Sequence, residues 1–353
     1  MSKKQRLALL VTGSVAAIKT LPLVGSLRKN GFDVTVLLTR APEQWNWVPL
    51  DAVRKASRHD VVLDNAERSA KTDAYLSSVI LIAPATADFI CQLAHASSET
   101  AHMILEAQRR GSKIMLAPAM NYKMWEHPAV QRNCEALAAA GVIIFGPVKG
   151  SLACGDKGFG RMMDVAKIAD GVRAAVDEKR HASLRAYEKA KTKSRPAALP
   201  KKSKGRILVA LGGGNIDWSK IEKLVADIKK TGAEATYVID QTWVGYREAL
   251  ERLTQQTVVA DFFQVPGFDG MEHIRLPEEA DVVFYPFLDA ALAETMAEGR
   301  ADTLFLSVYL ASKAPKVTTP SCMQELPPSL SFLLRRDGLD VISDLSKLAR
   351  RKR

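Results

Sequence analysis

Two stretches of this chain can be laid on each other without a gap: LALLVTGSVAAIKTLPLVGSLRKNGFDVTVLLT at 7–39 and LVALGGGNIDWSKIEKLVADIKKTGAEATYVID at 208–240. Each reads as an apolar run, a Gly-containing turn, an amphipathic helix, a further Gly and a second apolar run. That is a βαβ unit, and strands without polar alternation imply a parallel sheet covered on both faces. The match continues with SSVILIAPATADFICQLA at 77–94 against ADVVFYPFLDAALAETMA at 280–297, and KIMLAPAMN near 113–121 against KVTTPSCM near 316–323. Segments matched in one order at domain length point to duplication, not to a short solenoid repeat. The expected architecture is α/β: two doubly wound parallel-sheet domains, flavodoxin-like or Rossmann-like, at 1–178 and 206–353.

Between them, residues 179–205 lack apolar periodicity and read as a basic linker. From Lys179 to Arg206 there are eleven Lys or Arg residues against one acidic residue, Glu188, and the chain ends Arg350-Arg351-Lys352-Arg353. Most of the net charge of +11 therefore sits in a linker and a tail, which are usually solvated charge runs. No dedicated nucleic-acid partner is expected, and no apolar run approaches membrane-spanning length. Met1-Ser2-Lys3-Lys4-Gln5-Arg6 leads straight into a strand, so no signal peptide is expected. The four cysteines Cys91, Cys134, Cys154 and Cys322 show no paired spacing. They suit free thiols in a reducing, cytoplasmic setting and no metal site.

Ligands of open parallel sheets bind beyond the carboxyl ends of the strands, where helix N-termini collect. In the first half, Gly13-Ser14, Pro84-Ala85-Thr86-Ala87-Asp88 and Pro118-Ala119-Met120-Asn121 are expected at that edge. Gly13 and Ser14, with Thr39 and Thr86, offer hydroxyls and N–H groups suited to a phosphate; the GxGxxG dinucleotide fingerprint is absent. Further on, Ala153-Cys154-Gly155-Asp156-Lys157-Gly158-Phe159-Gly160-Arg161-Met162 places a cysteine among three glycines, an aspartate and an arginine. Glycines let a ligand approach the main chain, and Arg161 is suited to gripping a carboxylate or phosphate.

With TGSVAAIK, the APATA turn, PAMNYKMWEHPAVQRN at 118–133 and ACGDKGFGRM in view, residues 6–176 resemble the flavin-dependent cysteine decarboxylases. The resemblance implies FMN as cofactor, with Gly13, Ser14, Thr39, Thr86, Ala87 and, from the second half, Asp302 as its contacts. It implies substrate contacts at Met120, Asn121, Gly155, Asp156, Gly158, Arg161 and Met162. Asn121 would hold the substrate carboxylate and Cys154 would supply a proton. The implied reaction converts phosphopantothenoylcysteine to phosphopantetheine in coenzyme A synthesis.

The family's essential histidine belongs to a segment H-I-x-L-x-x-x-A-D. In the first half that position is Ala70; the second half reads His273-Ile274-Arg275-Leu276-Pro277-Glu278-Glu279-Ala280-Asp281 and keeps Gly299-Arg300-Ala301-Asp302-Thr303-Leu304. Conversely, Met323 stands where asparagine is expected, and Pro286-Phe287-Leu288-Asp289 replaces the APATA turn. Because the family builds its site between subunits, the resemblance implies that His273 serves with Asn121 and Cys154 through self-association of two unlike halves. His59, His95, His102, His127 and His181 are read as structural or exposed, and Trp125 and Trp218 as packing groups. Rival readings are a peptide cysteine oxidative decarboxylase, a fused ligase signalled by Gly212-Gly213-Gly214, and a non-catalytic flavoprotein regulator.

Overall fold

The computed structural model describes residues 4–153, 155–177, 205–214, 217–260 and 272–349. They fall into two compact units: one drawn from Met1–Trp125 and Val130–Ala190, the other from Glu126–Ala129 and Lys191–Arg353. The proposed linker, apart from Gly205, lies outside the described residues, as do the Arg350–Arg353 tail and His181.

In the first unit, β1 (Gln5–Val11), β2 (Phe32–Leu38), β3 (Val79–Ala85), β4 (Lys113–Pro118) and β5 (Ile143–Ile144) form a sheet in the order β2-β1-β3-β4-β5. Every neighbouring pair is parallel. The unbroken apolar runs follow from this: Leu7–Leu10 and Val79–Ala83 are buried because helices cover both faces. The helix Thr20–Lys29 turns Leu23, Val24 and Leu27 inward, and Val165–Val176 does the same with Ile168, Ala169, Val172 and Ala175. Those spacings follow the 3.6-residue helical repeat. Beyond β5, β6 (Val148–Ser151) and β7 (Lys157–Arg161) pair as an antiparallel hairpin.

The second unit has β8 (Arg206–Leu211), β9 (Glu234–Ile239), β10 (Val258–Val259), β11 (Val282–Tyr285), β12 (Lys316–Thr318) and β13 (Leu339–Val341). Their order is β10-β9-β8-β11-β12-β13, again all parallel. In the first unit an isolated parallel bridge, Leu37 to Val62, lies beside β2 where the second unit has β10 beside β9. Counting that bridge, both units wind in the same doubly wound order, with the reversal between the first and fourth segments.

The registers amend the gapless alignment by one residue. Leu7 pairs with Val34 and Val79, while Ile207 pairs with Ala235 and Val282. Leu7 therefore corresponds to Ile207, not Leu208, and the second unit carries one more residue between its first two strands. The helix Leu304–Ala311 is buried at all of its residues, which is why its sequence is apolar on every side. Beside it Lys316 is buried, its Nζ donating to the Tyr309 carbonyl at 3.3 Å and lying 4.9 Å from the Tyr309 ring centroid. Burial pulls its pKa down to about 8, opposed by the Asp337 carboxylate.

Candidate active site

Because β1, β2 and β3 run parallel, their carboxyl ends share one edge, and the turns that follow them converge there. Thr12 Oγ1 donates to the Pro84 carbonyl at 2.8 Å and accepts the Thr86 N–H at 3.0 Å, tying the ends of β1 and β3 together. Ser14 caps the short turn Val15–Lys19, its hydroxyl accepting from the Ala16 N–H at 3.4 Å. A Cβ on Gly13 would lie 2.8 Å from the Ala41 Cβ, so this approach of two turns requires glycine. Thr39 precedes the helix Arg40–Gln44 without a side-chain cap bond, its hydroxyl 3.4 Å from the Val11 carbonyl. Thr86 caps the helix Ala87–His95 by accepting the Phe89 N–H at 3.2 Å. The Ala87 side chain is buried, which leaves its main-chain N–H as what it offers a ligand. Asp88 accepts from Gln92 on its own helix at 2.6 Å. The edge thus presents neutral hydroxyls and helix N-termini, a donor set that fits the phosphate of a flavin mononucleotide.

At the end of β4, Asn121 is buried and its amide is fixed from both sides. Its Oδ1 accepts the Lys123 N–H at 2.8 Å, and its Nδ2 donates to Asp156 Oδ2 at 3.2 Å. Lys123 carries a side chain only 5% exposed, with Nζ 3.9 Å from the same Asp156 oxygen. Asp156 belongs to the turn between β6 and β7, closed by Leu152 N–H to the Asp156 carbonyl at 2.9 Å. Cys154 falls within that turn but lies outside the described residues.

The glycines of this hairpin also meet a requirement of the fold. Met120 N–H donates to the Gly160 carbonyl at 3.0 Å. A Cβ on Gly160 would stand 2.2 Å from the Met120 carbonyl oxygen, and one on Gly158 2.6 Å from Tyr122 Cβ. These positions admit the Met120–Tyr122 segment of the chain itself. Gly155 has open space around it but a φ of +86°, so there glycine answers a left-handed backbone. Arg161 is exposed and lies across Gly150. Met162 is 2% exposed and packs within the first unit's core. Thr12 and Lys123 are the residues that the sequence reading missed; neither residue type announces burial.

In the second unit His273 is the second residue of the helix Glu272–Glu279, which leads into β11. Ala70 is the third residue of Arg68–Tyr75, which leads into β3, and each stands nine residues before the first residue of its strand. The two positions are topologically equivalent. Asp302 pairs with Arg300 just before the helix Leu304–Ala311. Asp289 caps the helix Ala290–Glu298 through the Leu292 N–H at 2.7 Å, and its carboxylate also accepts the Gly214 N–H. Thr86 holds the corresponding cap after β3, so a neutral hydroxyl in one unit matches a carboxylate in the other. Among the remaining histidines, His59 pairs with Asp33, His95 with Asn133, and buried His127 meets the Tyr309 ring edge-on. No helix among the described residues is long and apolar enough to cross a membrane.

A family model described as Flavoprotein matches residues 1–177. The coenzyme A biosynthesis bifunctional protein CoaBC of Escherichia coli (strain K12) is 37% identical over 171 residues, covering 47% of this chain. The chain spans 42% of that relative's length. Among solved structures, a PPC decarboxylase mutant complexed with pantothenoylaminoethenethiol is 25% identical with a TM-score of 0.44, covering 50% of this chain and 100% of its own. The FMN binding protein AtHal3 is 27% identical with a TM-score of 0.43, covering 50% of this chain and 98% of its own.

Proposed function

The chain belongs to the Flavoprotein family, and from that premise we propose that it is an FMN-dependent decarboxylase acting on phosphopantothenoylcysteine to give phosphopantetheine. One observation carries this reading. The buried Asn121 amide and the hairpin turn that contains Cys154 are joined through Asp156, beside a sheet edge of hydroxyl turns that suits a phosphate. The relative named above, which acts in coenzyme A biosynthesis, supports the pathway.

Loss of CO₂ from a cysteine carboxylate leaves a carbanion with no stabilisation, so the step requires an electron sink. Bound FMN supplies the two-electron oxidation of the thiol end that creates this sink, and the electrons needed to reduce the product afterwards. The chain's residues supply placement. Ser14, Thr39, Thr86 and the main chain at Gly13 and Ala87 hold the phosphate, and the Asn121 amide donates to the substrate carboxylate. Cys154, as a thiol, gives the proton that completes reduction. We assign the imidazole that assists proton removal to His273, brought to the site when chains self-associate through their unlike halves. The strand order common to both units supports their descent from one ancestor.

The test is product mass. FMN-loaded protein given phosphopantothenoylcysteine should release phosphopantetheine, the substrate less CO₂ and nothing else. Cys154→Ser should release a product lighter by two hydrogens. A chain that binds no flavin, or turns over no substrate, overturns the proposal. Wild-type release of the lighter species would move the chain to the peptide cysteine class.

A further inference from the structure

Asp156 occupies a carboxylate site built from Asn121 and Lys123. One of its oxygens, Oδ2, faces Asn121 Nδ2 at 3.2 Å and Lys123 Nζ at 3.9 Å. The Asn121 amide has its orientation set by the Lys123 N–H on Oδ1, so the Nδ2 end must point at the acid. Lys123 is a charged side chain almost wholly withdrawn from water, while the Asp156 side chain keeps 29% of its surface exposed. Burying an ammonium group is costly unless an anion compensates it. The partly exposed carboxylate is the member of the trio that can leave: it has water to go to, whereas Asn121 and Lys123 do not.

We propose that Lys123 is a second substrate-carboxylate residue beside Asn121, and that Asp156 is a built-in surrogate which the substrate carboxylate displaces. This rests on the decarboxylase reading above and deepens it. It assigns to the site a preference for ligands with a free carboxylate at the cysteinyl end, set by charge as well as by hydrogen bonding. The product, having lost that carboxylate, loses its hold on Lys123, and Asp156 returns to the ammonium. Product release is thereby favoured by the same pair of residues that selects the substrate.

The test is equilibrium binding to FMN-loaded protein, followed by the flavin absorbance difference spectrum and by calorimetry, with phosphopantothenoylcysteine under conditions that block decarboxylation (His273→Asn background) and with phosphopantetheine as the carboxylate-free probe. Lys123→Met should weaken phosphopantothenoylcysteine about tenfold to hundredfold and leave phosphopantetheine unchanged, the size of a lost charged hydrogen bond. Lys123→Arg should recover part of the loss. Asp156→Asn, which keeps the shape and removes the competing charge, should tighten phosphopantothenoylcysteine several-fold. If Lys123→Met weakens both probes equally, or Asp156→Asn weakens the acid probe as Lys123→Met does, the surrogate account is wrong although the decarboxylase reading stands. If the parent protein binds FMN but neither probe, both fall together.

Discussion

Gly160→Ala is the sharpest perturbation of the site, because the obstacle it meets is backbone. The added Cβ would stand 2.2 Å from the Met120 carbonyl oxygen and 3.1 Å from the Tyr122 nitrogen, whereas real Cβ contacts essentially never fall below 3.0 Å. The hairpin and the Met120–Tyr122 segment must therefore separate by about 0.8 Å, and neither is a flexible side-chain end that can swing aside. That displacement lengthens the 3.0 Å Met120 N–H to Gly160 bond past useful range, and overpacking of this kind costs about 1–3 kcal/mol. Asn121 lies between the two displaced contacts, and a shift of about 1 Å in a positioning group can cost about a hundredfold in rate. FMN affinity should be unchanged, since the hydroxyl turns follow β1, β2 and β3 and not the hairpin. The assay pairs flavin fluorescence titration with single-turnover decarboxylation. Gly155→Ala is the comparison: its Cβ meets nothing within 4 Å, and only the φ of +86° opposes it, a cost of roughly 1–2 kcal/mol. A Gly160→Ala protein with full flavin and an undiminished rate would refute the packing argument.

Other expectations follow from the second unit and the edge turns. Flavin should bind one per chain, because the Asp289 carboxylate already takes the Gly214 and Leu292 N–H groups at the equivalent place; two flavins per chain by absorbance would contradict this. Thr86→Asp, which gives the first unit the second unit's cap, should abolish flavin binding while the fold, checked by circular dichroism, persists. Lys316 loses its proton near pH 8 when folded and near 10.5 when unfolded. Between those values the unfolded chain holds more proton, so this group's contribution to stability rises with pH, by about 3 kcal/mol in total. Lys316→Met should accordingly raise stability at pH 7 and flatten that rise in denaturant titrations; destabilisation at both pH 7 and pH 10 would show that the ammonium is compensated.

Much of this architecture is legible in sequence because both halves repeat a physical pattern. Unbroken apolar strands announce a sheet covered on two faces, and the order of the matched segments anticipates the common winding. Val62 is the exception: one bridged residue is too short a signal to read as a strand. The gathering of Ser14, Thr39 and Thr86 at one sheet edge was legible because strand-end turns of a parallel sheet must meet there. Lys123 was not, since a lysine two positions after an asparagine reads as solvated until the hairpin carrying Asp156 is folded over it. The glycines of ACGDKGFGRM carry a double meaning for the same reason. Their freedom was evident, but that Gly158 and Gly160 also admit Tyr122 and Met120 depends on a contact across the fold. Lys316 likewise lies in a strand of three residues, and its bond to the Tyr309 carbonyl and its coupling to the Asp337 carboxylate arise only in the folded unit.

The claim on which most depends is that the second unit supplies the histidine missing at Ala70. The direct measurement is the single-turnover rate of phosphopantothenoylcysteine decarboxylation by FMN-loaded His273→Asn protein. The expected result is no detectable product with flavin still bound in full. An undiminished rate would contradict the account and leave the second unit without a part in the chemistry.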